Sequence, residues 1–192
     1  MKTLLLAVAA ALFATPFPVQ KTLTNAVNNE RLAAARYDAF AAKAEEEGYL
    51  GAASLFRACA RAERIHMQRF IGLMTARDVA PPAETAPKIA VESTRENLQT
   101  AIMLEQGERD SVYLAAINAC NEAKDDVAAK VFDTTRDAEV EHANLFAAAA
   151  RHLESMKSPR EYYVCEHCGY TTEIKLPLCP SCRDKHAPEA VQ

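Results

Sequence analysis

Apolar residues recur at every third or fourth position through most of this chain, which is the spacing of amphipathic helices. Gly48 interrupts the first stretch, a proline-rich segment beginning at Pro81 separates the second from the third, and Pro159 follows the last. The pattern therefore predicts four long helices arranged as two hairpins. Their expected bounds are about 22–47, 50–75, 91–121 and 124–156.

The composition agrees with a helical protein. The 192 residues are rich in alanine, the strongest helix former, and they include only 5 glycines and no tryptophan. The length suits one bundle of ordinary size with a small appendage. The formal net charge is -4, and the basic residues are scattered along the chain. Because nucleic-acid-binding proteins carry a basic patch, neither DNA nor RNA is expected as a partner.

The N-terminal segment differs from the rest of the chain. Lys2 precedes an apolar run from Leu4 to Phe13, and two prolines follow within five residues. This is the pattern of a secretory signal, and the run is too short to span a bilayer as a stable helix. We therefore expect export to the periplasm; the alternative is an apolar arm that packs on a partner subunit of a cytoplasmic protein. We expect the signal or arm to occupy residues 1–19, the helical bundle residues 20–157 and a C-terminal domain residues 160–192.

Two Glu-x-x-His pairs lie far apart in the chain, on the second and fourth predicted helices. Residues three apart share a helix face, so each pair directs a carboxylate and an imidazole at one point. A single glutamate precedes the first pair, and a Glu-x-x-Glu pair precedes the second. This order is typical of di-iron carboxylate four-helix bundles. The candidate ligands are Glu30, Glu63, His66, Glu105, Glu108, Glu139 and His142.

The donor set indicates the kind of metal. Carboxylate-rich ligation with one imidazole per metal suits iron or manganese, because hard oxygen donors stabilise the higher oxidation state. Carboxylates that bridge two metals allow the pair to share a two-electron change. A single Glu-x-x-His match is weak evidence, since glutamates on solvated helix faces are common. The whole set, in this order and on four helices, favours a buried metal site over a solvated charged face.

The two predicted hairpins resemble copies of each other. Subtraction of residue numbers places Glu139 76 positions after Glu63, and the same offset relates the two histidines, Tyr37 to Tyr113, and Phe70 to Phe146. Glu105 follows Glu30 by 75 positions. A shared offset for ligands and aromatic residues indicates a duplicated hairpin. We therefore expect a pseudo-twofold metal site at the centre of the bundle.

The C-terminal segment contains a second candidate metal site. Two Cys-x-x-Cys knuckles provide four thiolates, which can form a tetrahedral metal shell. Four sulfurs fit zinc or a single iron, and so short a segment needs its metal to fold. The alternative is two disulfides in an oxidising compartment. The four cysteines are Cys165, Cys168, Cys179 and Cys182.

The remaining cysteines and histidines have simpler interpretations. Cys59 and Cys120 fall within helical segments and are expected to be core residues, because nothing near them in the sequence would activate a thiol. His152, His167 and His186 are expected at the surface.

These residues together resemble the rubrerythrin family over nearly all of the chain after the N-terminal segment. The similarity is found in Leu23 to Tyr49, in the pair Glu63-Arg64-Ile65-His66, in Glu96-Asn97-Leu98 leading to Glu105-Gln106-Gly107-Glu108, in Glu139-x-x-His142 and in the four cysteines. The resemblance implies an all-α, ferritin-like four-helix bundle with a small rubredoxin-like or zinc-ribbon-like domain. The interval between the knuckles is shorter than expected for the family, which leaves iron and zinc open for the tail.

The resemblance also implies roles for the ligands. Glu63 and Glu139 would bridge two irons; Glu30 would be terminal on one iron, and Glu105 with His142 on the other.

The same resemblance implies a ligand exchange, in which the first iron would replace Glu108 by His66 on reduction. Tyr37 and Tyr113 correspond to tyrosines that hydrogen-bond the carboxylates, although aromatic core packing is the competing interpretation of both.

The activity implied by the family is reduction of hydrogen peroxide to water in oxidative-stress defence. Electrons would come from a rubredoxin or an NADH-linked reductase and pass through the four-cysteine centre, often across a homodimer or a larger homo-oligomer. Two alternatives use the same bundle. One is a ferroxidase or iron-handling protein with a structural zinc tail, and the other is a peroxide or iron sensor.

Overall fold

The computed structural model describes residues 17–184 and 187–191, and it has the expected four-helix bundle followed by a small four-cysteine domain. The third bundle helix consists of two α-helices joined by a π-helical segment. The helical elements are α1 (Phe17–Glu46), α2 (Leu50–Thr75), α3 (Thr94–Gly107), the π segment (Glu108–Val112), α4 (Tyr113–Glu122), α5 (Asp126–Arg151) and a 3-10 segment (Leu153–Lys157). The strands are β1 (Tyr162–Val164), β2 (Thr171–Thr172) and β3 (Glu189–Val191).

The first helix begins five residues before the expected Thr22. Val19 and Leu23 are fully buried in a hydrophobic cluster with residues from the end of α2 and the start of α5, so packing extends the helix into the segment assigned to a signal. Residues 1–16 lie outside the described part of the chain, and export therefore stays a prediction. Among the described residues, no helix combines the length and apolar character needed to cross a membrane.

The third bundle helix begins at Thr94, three residues later than expected, because its N-terminus is capped there. Ser93 and Glu96 form a reciprocal capping box. Glu47, in the turn between α1 and α2, accepts a hydrogen bond of 2.8 Å from the Thr94 amide. The cap thus connects the second hairpin to the first.

The π segment accounts for the irregular offset between the hairpin copies. Glu30 and Tyr37 are seven positions apart, whereas Glu105 and Tyr113 are eight apart. A π turn accommodates one extra residue within a continuous helix. The segment begins at Glu108, the one candidate carboxylate ligand of the second hairpin that has no glutamate at the corresponding position of the first.

Two aromatic clusters flank the centre of the bundle and repeat the duplication. In one, the Tyr37 ring lies 5.1 Å from Phe146 and 6.1 Å from Phe56. The corresponding rings, 76 positions away in the sequence, form the second cluster, in which Tyr113 and Phe132 are 5.8 Å apart. Cys59 and Cys120 are buried in the two hydrophobic halves, as predicted. The acidic site lies between these halves.

The C-terminal domain is a three-stranded antiparallel sheet of order β2-β1-β3 that packs on α2 and α5. Tyr162 of β1 is buried in the bundle core. Arg61 of α2 pairs with Glu166 at 2.7 Å and with Glu189 at 3.0 Å. Gly51 permits the close approach of the chain, because a Cβ there would lie 2.7 Å from the carbonyl oxygen of Ser158. The domain is therefore fixed directly over the metal-binding helices.

Candidate metal centres

Six of the seven predicted bundle ligands converge at the centre of the bundle, and all six are fully buried. They form two groups in which the donor atoms lie within 4.8 Å of one another, and two glutamates belong to both groups. One group is Glu30, Glu63, His66 and Glu139; the other is Glu63, Glu105, Glu139 and His142.

Glu63 and Glu139 each face both imidazoles with different oxygens. Oε2 of Glu63 is 2.8 Å from His66 Nδ1, and its Oε1 is 3.2 Å from His142 Nδ1. Oε1 of Glu139 is 3.1 Å from His66 Nδ1, and its Oε2 is 2.9 Å from His142 Nδ1. This geometry suits two carboxylates that bridge a pair of metals.

The outer carboxylates complete the pseudo-twofold arrangement. Glu30 Oε2 lies 3.9 Å from His66 Nδ1, and Glu105 Oε1 lies 3.8 Å from His142 Nδ1. Each outer glutamate thus accompanies one imidazole.

The cluster has the properties of a metal site. Several buried atoms that could bind a metal have no hydrogen-bond partner, among them both carboxylate oxygens of Glu139, Oε1 of Glu63 and Nδ1 of His142. Burial, followed by the charges of Glu63 and Glu139, raises the pKa of Glu30 and Glu105 well above the usual range. So many buried carboxylates would be prohibitively costly as anions without a compensating cation. The donor set and the unpartnered atoms therefore fit two metal ions.

The pKa of His66 also depends on the neighbouring carboxylates. Burial alone would lower the pKa of His66, but the charges of Glu139 and Glu63 outweigh it and raise the pKa to about 9. A bound metal would replace the proton at Nδ1 and take over this charge compensation.

The two tyrosines both pack in the core and bond the outer carboxylates. Tyr37, on α1, donates its hydroxyl proton to Glu105, whereas Tyr113, at the start of α4, donates to Glu30. Burial and the adjacent carboxylates raise the pKa of both phenols well above the usual range, so the phenols remain protonated donors. The two interpretations of these tyrosines are therefore compatible.

Glu108 lies apart from the two donor groups. It is half-buried and lines a surface pocket of about 390 Å³ together with Arg36, Met103 and Val112. His66, rather than Glu108, directs a nitrogen at the shared carboxylates. The exchange of these two ligands stays a prediction.

The four predicted cysteines also converge. The Cys165 and Cys182 sulfurs are 3.7 Å apart, and those of Cys168 and Cys179 are 3.5 Å apart. A tetrahedron with metal–sulfur bonds of about 2.3 Å has edges of about 3.8 Å, whereas a disulfide bond is about 2.05 Å long. The sulfurs thus fit a metal shell, and the six cysteines are all free thiols.

The four-cysteine domain contacts the bundle site in a way that was not predicted from the sequence. Nε2 of His66 lies 3.0 Å from the carbonyl oxygen of Cys168, and Nε2 of His142 lies 3.1 Å from the hydroxyl of Thr171. A backbone carbonyl has no sequence signature, so the first contact could not have been predicted. His152 and His167 are exposed as expected, and His186 lies outside the described residues.

Comparison with known proteins identifies relatives over most of the chain. The rubrerythrin family model matches residues 21–150. Rubrerythrin of Porphyromonas gingivalis is 31% identical over 174 residues, which cover 88% of this chain and 86% of the relative. Nigerythrin of Nitratidesulfovibrio vulgaris is 32% identical over 171 residues, with coverage of 85% and 83%.

Solved structures give the same result. A mixed-valence state of nigerythrin superimposes with a TM-score of 0.82 at 30% identity, covering 90% of this chain and 86% of the other. The bacterioferritin BfrA of Mycobacterium tuberculosis, at 17% identity, 72% and 87% coverage and a TM-score of 0.65, shares the fold.

The matches, the carboxylate and histidine cluster of the bundle and the four-cysteine cluster confirm the predicted fold class. They also confirm the predicted cofactors, which are two non-haem irons in the bundle and one iron or zinc at the four cysteines. The chain belongs to the rubrerythrin family.

Proposed function

We propose that this protein is a non-haem di-iron peroxidase that reduces hydrogen peroxide to water with electrons relayed through its four-cysteine centre. Membership of the rubrerythrin family supports a di-iron oxidoreductase of oxidative-stress defence. The observation that carries the more specific proposal is the 3.0 Å contact between the Cys168 carbonyl and His66 Nε2. It joins a ligand of the four-cysteine centre to a ligand of the bundle site.

The proposed ligand roles follow from the donor geometry. Glu63 and Glu139 would bridge the two metals, because each directs one oxygen at either imidazole. Glu30 with His66 would hold one metal, and Glu105 with His142 would hold the other.

When bound, the iron pair supplies two electrons for cleavage of the O–O bond, so that peroxide, two electrons and two protons give two water molecules. The protein residues would position the ligands and control access. Tyr37 and Tyr113 hold Glu105 and Glu30 in place through their hydroxyl groups. Glu108 and Arg36 line a surface pocket, and we assign this pocket to peroxide entry.

Electrons would enter at the exposed side of the four-cysteine centre. Cys182 is partly exposed, whereas the other three cysteines are buried. A pocket of about 440 Å³ adjoins Cys182 and is lined in part by Val127, Lys130 and His167. We propose that a rubredoxin or an NADH-linked reductase docks here, and that the protein forms a homodimer or a larger homo-oligomer.

The direct connection between the two sites favours the peroxidase over the alternatives. A ferroxidase or iron-handling protein would use the same carboxylates, but its tail would need only a structural metal. A sensor would need an oxidation-dependent change in a partner contact. Neither function requires a hydrogen bond from a ligand of one centre to a ligand of the other.

Anaerobic stopped-flow spectroscopy of the fully reduced, iron-loaded protein tests the proposal. After stoichiometric peroxide is added, the diferric absorption should appear quickly, followed by a ferric-thiolate band as the four-cysteine centre gives up its electron. Cys179→Ser should retain the first phase and lose the second. Cys120→Ser, which alters a buried cysteine away from both sites, should retain both. Slow oxidation by peroxide without a thiolate band would refute the peroxidase and favour iron handling.

A further inference from the structure

The two imidazoles of the bundle site are held by the same short stretch of the C-terminal domain. The acceptor for His66 is the backbone carbonyl of Cys168, and the neighbour of His142 is the side-chain hydroxyl of Thr171. Three residue positions separate the two acceptors in the sequence. The domain thus supports the ligands of a metal site to which it contributes no ligand itself.

The hydrogen bonds of Thr171 determine the tautomer of His142. The Thr171 hydroxyl donates its proton to the carbonyl oxygen of Gly169 at 3.0 Å. Its oxygen must therefore accept from His142 Nε2, 3.1 Å away, which means that Nε2 carries a proton. In a neutral imidazole, Nδ1 then has a free lone pair.

That lone pair is directed at the metal position. Nδ1 of His142 lies 2.9 Å from Glu139 Oε2 and 3.2 Å from Glu63 Oε1, and it has no hydrogen-bond partner of its own. A hydrogen bond from the distal ring nitrogen orients a histidine ligand and increases its basicity. Thr171 therefore stands in the position from which a residue of another domain can set the binding strength of this histidine.

Thr171 is well placed for this role because its own position is fixed. It is fully buried on β2 and pairs with Val164 of β1. Tyr162, on the same strand as Val164, is buried in the bundle core and holds β1 in place. Replacement of Thr171 by valine, which has a methyl group in place of the hydroxyl, would leave the buried Nε2–H of His142 without its acceptor, because a methyl group cannot accept a hydrogen bond.

We propose that Thr171 is a positioning residue for the second metal of the bundle, acting through His142. The proposal deepens the proposed function, since it concerns the same site, but it makes a claim about ligand orientation that holds whether or not peroxide is the substrate. It also distinguishes the two metal positions. His66 depends on a main-chain acceptor that substitution leaves in place, whereas His142 depends on one side chain.

The test compares Thr171→Val with Thr171→Ser and with the neighbouring Thr172→Val in the full-length protein. Thr172 lies on the same strand, and its hydroxyl accepts from the Ile174 amide at 3.1 Å instead of from a histidine. Anaerobic titration with Fe(II) should show that Thr171→Val weakens one of the two bundle equivalents by about 10-fold to 100-fold and leaves the other unchanged. Thr171→Ser should restore the affinity, and Thr172→Val should match the parent protein.

A second readout is independent of both iron and turnover. In the zinc-loaded, ¹⁵N-histidine-labelled parent protein, NMR should show His142 as the Nε2–H tautomer with a slowly exchanging proton. This proton should exchange rapidly in Thr171→Val and slowly in Thr171→Ser.

An Nδ1–H tautomer in the parent protein would overturn the proposal even if Thr171→Val did not fold. Equal Fe(II) affinities for Thr171→Val and Thr172→Val would also overturn it. Failure of peroxide turnover with both readouts as expected would instead refute the peroxidase and leave the role of Thr171 intact.

Discussion

Replacement of Gly169 by alanine should separate the two metal-binding domains at their point of contact. Gly169 follows Cys168 directly and has a φ of +79°. A Cβ at this position would lie 2.2 Å from Nε2 and 2.6 Å from Cδ2 of His66. Ordinary contact begins at 3.4 Å, so the ring and the knuckle would have to separate by about 1.2 Å, the difference between 3.4 Å and 2.2 Å.

The expected loss of stability has two parts. A left-handed backbone conformation costs a residue with a Cβ about 1–2 kcal/mol. The separation would also lengthen the 3.0 Å contact between His66 Nε2 and the Cys168 carbonyl beyond hydrogen-bonding range. An unsatisfied buried donor costs about 1–3 kcal/mol. Gly169→Ala should therefore lower the free energy of unfolding by about 2–5 kcal/mol.

Gly48→Ala is the matched control for the conformational part. Gly48 has nearly the same φ, +80°, but nothing lies within 4 Å of its Cβ position. It should cost only about 1–2 kcal/mol. Denaturant unfolding of the metal-loaded proteins measures both values, and the difference between the two variants isolates the His66 contact.

Stopped-flow reduction of peroxide provides the functional assay for the same pair. Electron withdrawal from the four-cysteine centre should slow in Gly169→Ala and remain at the parent rate in Gly48→Ala, with the ferric-thiolate absorption retained in both. Equal losses of stability together with equal electron-transfer rates would refute the reasoning, because the contact would then contribute nothing to stability or to transfer.

Three further predictions concern other parts of the molecule. Glu47→Gln should lower the free energy of unfolding by about 1 kcal/mol at neutral pH, because it weakens the cap on the Thr94 amide. The hydrogen bond from that amide lowers the pKa of Glu47 in the folded protein. In denaturation series the difference from the parent should therefore be present above the ordinary carboxyl pKa, and it should vanish as the pH falls through the lowered pKa of Glu47. Lys130→Glu, in the proposed docking pocket, should slow reduction of the four-cysteine centre by an acidic donor protein, and the effect should depend on salt. Lys157→Glu is the control, because Lys157 has similar exposure and also pairs with an acidic residue three positions away; it should not slow this reduction. Equal rates for the two variants would exclude the proposed docking pocket. Tyr113→Phe should destabilise the protein by about 1–3 kcal/mol in thermal or chemical unfolding because a buried carboxylate loses its donor, and an unchanged stability would argue against that hydrogen bond.

The bundle and its ligands could be predicted from the sequence because their signals are local and repeated. Helical spacing places each Glu-x-x-His pair on one face, and the offset of 76 aligns the second copy with the first. The same comparison contained the signal for the π segment. The offset changes from 75 at Glu105 to 76 at Tyr113, so one residue had to be inserted between them.

The contact between the domains could not be predicted in the same way. The Cys168 carbonyl is a group that every residue carries, and its approach to His66 depends on how the domain docks. Thr171 had no motif to distinguish it from Thr172, and only the three-dimensional structure shows which hydroxyl meets a histidine. The docking rests on tertiary contacts such as that of Arg61 with Glu166, which are remote in sequence.

The departures from pseudo-twofold symmetry concentrate on one half of the metal site. Glu108, the extra carboxylate, lines the open pocket. Burial and the charges of Glu139 and Glu63 raise the pKa of Glu108, and the charge of His66 opposes them. His66 is also the imidazole that bonds the backbone of the four-cysteine knuckle. His142, in the other half, lies behind the buried Thr171 hydroxyl and accompanies Glu105. A duplicated hairpin alone would give two equivalent metal positions. Here His66 has both the main-chain connection to the second centre and the charge interaction with Glu108, the carboxylate that lines the open pocket. Under the proposed function, substrate access and electron supply are therefore expected to meet at the metal beside His66, while the other metal serves as its partner.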